Sequence, residues 1–127
     1  AVVTRLLRDW GPALLWTAIL FGLSSRPTLP VDLGGGLDKL AHFGAYALLG
    51  LLLAHGQARS GIALLWAVAA GMLIGALDEF YQGFAPGRAT ELADWAADTL
   101  GVLTGVSLYH LGLGWWRSRS TPAPGAP

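Results

Sequence analysis

Between Asp78 and Asp98 the chain reads DEFYQGFAPGRATELADWAAD, which sets five acids, a Gln and an Arg between two strongly apolar stretches. An Asp at the centre of a bilayer costs roughly 2.5 to 3.5 kcal/mol on insertion scales, so acids kept in such a place point to use. Carboxylates here can carry protons or bind cations, and Arg88 can contact an anion. The chain has no Cys, which removes thiol catalysis, disulfides and Cys-based metal sites. His, carboxylate, hydroxyl and amide chemistry remain.

The spacing gathers further residues. Lys39, His42, Tyr46 and Gly50 follow at steps of three, four and four, as do Asp94, Asp98, Gly101 and Gly105 at four, three and four. Gly71, Gly75, Asp78 and Gln82 step four, three and four. On a helix each set lies on one face. Glycines on a membrane helix let backbones approach closely, so each face should be a packing seam that ends in polar side chains.

Four helices must carry these seams. The first starts amphipathically at AVVTRLLRDW and continues through the apolar run from Trp10 to Leu23. It resembles a leader in outline but has no A-x-A-like cleavage site. RPTLPVDLGGG, from Arg26 to Gly36, is a loop by its Pro and Gly content. Helix 2 is expected from about Asp38 to Ala54, and HGQARSG turns the chain with Ser60 as N-cap of helix 3. Helix 3 is expected from Gly61 to about Gln82, and helix 4 from about Glu91 to Trp116. The fold expected is all-α, an integral membrane bundle of four transmembrane helices over residues 1–117. Residues 118–127 form a Pro-rich tail expected to be disordered.

Composition agrees with a membrane protein. Of the 127 residues, 54% are hydrophobic and 13% charged, with net charge zero, so no basic excess marks a nucleic-acid partner. A soluble four-helix bundle would need a polar face on every helix, and the first three show almost none. An up-and-down path brings the polar ends of helices 2, 3 and 4 to one side. That side has Arg26, Lys39 and Arg88, against Arg5, Arg8, Arg59, Arg117 and Arg119 on the other. The positive-inside rule then places both termini in the cytoplasm and opens the cluster outward.

DKLAHFGAY (38–46), DEFYQGFAPGR (78–88) and DWAADTLGVLTG (94–105) resemble the three motifs of the VanZ-like membrane protein family, in order and spacing. The resemblance covers helices 2 to 4 and implies a small multi-pass protein of the bacterial inner membrane. The family's namesake is associated with resistance to the glycopeptide teicoplanin. No mechanism comes with the resemblance.

The candidate binding residues are Asp38, Lys39, His42, Tyr46, Asp78, Glu79, Gln82, Arg88, Asp94 and Asp98. Plainer roles compete. Asp38, Glu91 and Asp94 suit helix starts, where the dipole favours carboxylates. Lys39 and Arg88 can serve only to neutralise acids. His42 can be a proton carrier, a metal ligand or, most commonly, a hydrogen-bond partner of Asp38. Tyr46 and Gln82 orient neighbours, and His55 and His110 stand outside the pattern. Asp98 lies too deep in an apolar helix to be a cap. Lys39 is expected to reach it, leaving Arg88 for an incoming anion.

Two functional classes fit. The first binds an anionic membrane lipid or lipid-linked envelope component through Lys39 and Arg88. The second is an enzyme on a lipid phosphate, with Asp38, His42, Asp78, Glu79, Asp94 and Asp98 as ligands for Mg, Mn or Zn. Their spacing matches no metal motif, and no stoichiometric metal is expected. A proton-coupled transporter using Asp98 is a third, and would require a homo-oligomer, because four helices alone enclose no pore. The topology is testable. A single Cys introduced at Ser25 or Ala89 should react with an impermeant thiol reagent outside intact cells, and one at Ser60 should not; the reverse labelling inverts the orientation.

Overall fold

The computed structural model describes residues 1–25, 36–84, 92–121 and 125. Among them the chain is all-helical, with α1 (Val2–Ser24), α2 (Leu37–Ser60), α3 (Leu64–Gln82) and α4 (Leu92–Ser120). Gly36, at φ 92°, leads into α2 and Gly61, at φ 69°, ends it; both are left-handed conformations that cost glycine least.

Three boundaries differ from the sequence-based expectation. His55 to Ser60 continue α2 where a turn was expected, and the N-cap of α3 is Ala63, without a side-chain cap hydrogen bond. Ser60 Oγ instead accepts from Trp10 Nε1 at 2.9 Å. A polar run does not break a helix when its side chains find partners across an interface and Gly comes only at its end. α4 runs to Ser120, beyond the expected Trp116, with the Ser118 and Ser120 hydroxyls donating to the Trp115 and Trp116 carbonyls of the same helix.

By length and composition α2 and α3 are long and apolar enough to cross a membrane. Their 24 and 19 residues span about 36 and 28 Å at 1.5 Å per residue, against a hydrocarbon core of about 30 Å. α1 and α4 do not meet the same measure of length and hydropathy.

α2 and α4 pack most extensively, side by side and parallel, with α1 against α2 and α3. Tyr46, Leu49, Val102 and Val106 form the buried centre with Leu53, Ala54 and Ala67. The expected glycine seams are there. A Cβ on Gly101 would strike the Phe43 carbonyl, one on Gly105 the Ala47 carbonyl, and one on Gly50 the Val102 carbonyl. Gly75 fits below Asp98, whose Cβ would lie 3.2 Å from an added methyl. Gly56 makes a further seam outside the expected stripes, against Trp10 and Asp9 of α1.

At that end Asp9 is buried and accepts from Arg8 Nε at 2.9 Å and Arg59 Nε at 2.6 Å. The Arg59 hydrogen bond ties α2 to α1 at this end. Of the indoles, Trp10, Trp16 and Trp95 make hydrogen bonds between elements, while Trp66, Trp115 and Trp116 are exposed.

The seams predict a contrast in thermal unfolding in detergent. Gly101→Leu and Gly105→Leu should destabilise by on the order of 1 to 3 kcal/mol or more through overpacking. Gly112→Ala, where an added Cβ meets nothing within 4 Å, should raise stability by roughly 0.5 to 1 kcal/mol. Equal melting of all three variants would mean that α2 and α4 do not touch.

Candidate functional site

Parallel packing fixes which residues of α2 meet which of α4. Partners across this interface are separated by 53 to 56 positions along its whole length. Lys39 Nζ donates to Asp94 Oδ1 at 2.5 Å and to Asp38 Oδ2 at 3.0 Å. One turn deeper, His42 Nδ1 lies 2.8 Å from Asp98 Oδ1, and its Nε2 is 3.8 Å from Asp94 Oδ2. With the proton on Nδ1, His42 donates to Asp98. A further turn down, the Tyr46 hydroxyl donates to Asp78 Oδ2 of α3 at 2.7 Å. Gln82, at the end of α3, donates from Nε2 to Ser24 Oγ of α1 at 3.3 Å.

The structure therefore brings Lys39, His42, Tyr46, Asp78, Glu79, Gln82, Asp94 and Asp98 to one end of the bundle. Asp78, Glu79, Gln82, Asp94 and Asp98 are all buried. Asp38 is only the rim of this cluster, its side chain 51% exposed. Arg88 and Glu91 lie outside the described residues.

Two expected pairings are replaced. Lys39 does not reach Asp98, because an offset near 55 sets it opposite Asp94; Asp98 lies another turn, about 5.4 Å, along the axis. His42 bonds Asp98 in place of Asp38, since its ring faces the α2–α4 seam while Asp38 points to the exposed side. Asp38 is also not a helix cap, as Gly36 holds that position.

Sequence spacing also missed three residues. Ser24 enters the site from α1, and a lone Ser at a helix end carries no pattern to reveal it. His55 and His110 have partners at the opposite end: His110 Nε2 lies 2.8 Å from Gln57 Oε1, and His55 Nδ1 3.5 Å from the Tyr109 hydroxyl. Both pairings follow from the α2–α4 register, which spacing within one helix does not reveal.

Beside the cluster is a cleft of about 190 Å³ between α1, α2 and α3. Leu20, Leu23, Ala41 and Ala45 form its apolar wall, and Ser24, His42, Tyr46, Asp78 and Gln82 its polar one. Within the polar wall and just behind it, Asp78 Oδ1 and Asp98 Oδ2 are buried and accept no hydrogen bond among the described residues. Open acceptors beside an imidazole can take up a proton, a hydroxyl or ammonium donor, or a cation.

The layers rank the pairs by energy. His42→Ala should destabilise by roughly 1.5 to 3 kcal/mol, as expected when a buried charged acceptor loses its donor. Lys39 is about one-third exposed, and Lys39→Ala should cost below about 1 kcal/mol. Tyr46→Phe should cost about 1 to 3 kcal/mol, through the stranded Asp78 oxygen. Thermal unfolding in detergent measures all three, and a larger loss for Lys39→Ala than for His42→Ala would put the structural pair at the rim.

The VanZ/LLP1 family model matches residues 4–113, in agreement with the resemblance carried by the three motifs. No curated protein and no solved structure gave a match. The matched span runs from α1 through most of α4 and includes every described site residue, and the chain belongs to the VanZ/LLP1 family.

Proposed function

We propose that this is a multi-pass protein of the bacterial inner membrane whose cleft receives the polar end of a membrane lipid or lipid-linked envelope component. The observation that carries this reading is the two-sided cleft, apolar along α1 and the exposed side of α2, polar along His42, Tyr46, Asp78 and Gln82. An amphiphile matches that division: its chain lies on leucine while its head meets hydrogen-bonding groups.

The exposed surface supports a reading with four membrane crossings. Beyond α2 and α3, α1 exposes Leu6, Leu7, Leu14 and Leu15, and α4 exposes Leu100, Leu103, Leu108 and Leu111. Apolar surface of that extent suits lipid better than water. With both termini cytoplasmic, by the positive-inside count, the cleft faces the outer leaflet, where envelope precursors are used. Teicoplanin resistance, which the family resemblance brings with it, is the phenotype that such engagement would modify.

The charge pattern qualifies the head group. Lys39 already serves Asp38 and Asp94, so it is not the open anion contact expected from sequence. An anionic head would rely on Arg88 at the loop, and its hydroxyl or amine groups would be the partners of Asp78 and His42. A membrane enzyme on a lipid phosphate is the second reading. It is favoured by one observation, a His–Asp pair at the cleft wall in which the carboxylate orients the imidazole, the arrangement of a general base.

Native mass spectrometry of the protein extracted in lipid nanodiscs tests the binding reading. Wild type should retain an envelope lipid or lipid-linked precursor, and Ala41→Trp, which fills the cleft mouth, should lower occupancy about tenfold. Equal retention by the variant, or none by wild type, would refute it.

A further inference from the structure

We propose that His42, Glu79 and Asp98 form a site for a single divalent transition-metal ion of the Zn or Mn class. One ring nitrogen of His42, one oxygen of Glu79 and one of Asp98 lie within 4.8 Å of one another, each from a different helix. Donors on a common ion at bond lengths of about 2.0 to 2.2 Å are separated by at most about 4.4 Å. Side-chain rotations of under an ångström therefore suffice to close the site.

A second, independent observation points to a ligand. Asp98 is 1% exposed, and its Oδ2 has no hydrogen-bond partner among the described residues; Asp78 Oδ1 has none either. An uncompensated carboxylate oxygen at this depth is costly unless a cation or proton meets it. The seam glycine Gly75 lies directly below, with an added Cβ 3.6 Å from Asp98 Oδ2, so no side chain from α3 fills that space.

The donor set selects the metal. Two carboxylates alone would suit Mg or Ca, whereas adding imidazole favours Zn, Mn or Fe(II). Three protein ligands leave room for an exogenous group, as in open metal sites. An ion here would also supply the positive charge that Lys39, engaged at the rim, does not bring to the cleft. This reverses the expectation from spacing, which matched no metal motif because the three ligands come from three helices. The site does not depend on whether the cleft holds a lipid, and it is measured without one.

The test uses full-length protein in detergent, stripped with chelator and then titrated with Zn or Mn. Wild type should bind one equivalent. Glu79→Gln and His42→Asn should weaken binding by at least about tenfold, while His110→Ala, at the opposite end of the bundle, should bind as wild type. Circular dichroism checks that the variants remain helical. Pulsed electron paramagnetic resonance of Mn-loaded wild type supplies a readout that needs no variant: it should show coupling to one imidazole nitrogen, retained in His110→Ala. No metal uptake, wild-type affinity in both site variants, or a Mn signal without nitrogen coupling would each overturn the proposal.

Discussion

Everything at the end that carries the acidic cluster depends on backbone contact between α2 and α4. Gly50, Gly101 and Gly105 leave no side chain between the two helices, so carbonyls of one lie against the Cα atoms of the other. Contact that close admits one register. The same register sets Lys39 beside Asp94, His42 beside Asp98, and, at the far end, Gln57 beside His110. The packing thus selects the ion pairs, and the ion pairs then oppose sliding. Val102 and Leu49, both fully buried, fill the interval where glycine gives way to ordinary side chains.

The two ends of the bundle treat charge differently. At one, Asp9 is held by two arginines, and the polar atoms around it are paired. At the other, four acids are buried around one imidazole with a lysine at the rim, and Asp78 Oδ1 and Asp98 Oδ2 have no hydrogen-bond partner among the described residues. Buried charges in a structural network are normally fully paired, because each unpaired one is destabilising. The first end follows that rule and the second departs from it, which is what supports reading the second as the binding end. Tyr46, wholly buried and donating to Asp78, shows how much of the local structure is committed to keeping these acids in place.

The helical stripes were legible in the sequence because a period of 3.6 survives in one helix read by itself. Lys39–Gly50, Gly71–Gln82 and Asp94–Gly105 each required only their own spacing, and all three face the interfaces. Register between helices is not encoded in that way. Nothing in the spacing of α2 distinguishes Asp94 from Asp98 as the partner of Lys39, and the wrong choice was one turn away. Boundaries failed for a related reason: HGQARSG has the composition of a turn, but Gln57, Arg59 and Ser60 have partners on other helices, so tertiary contacts override local preference. Ser24 was invisible because its role comes only from Gln82 above it. Arg88, expected to make the anion contact, falls outside the described residues.

The constant offset between α2 and α4 also determines which lengths of the chain are negotiable. Each residue of an α-helix turns by about 100°, so deleting one residue between Lys39 and Gly50, or between Asp94 and Gly105, would rotate every partner beyond it away from the seam together. The glycine contacts, the rim ion pair and the His42–Asp98 bond would be lost as a unit. A deletion or insertion within either stripe should therefore undo the seam as a whole, where a substitution removes one contact at a time.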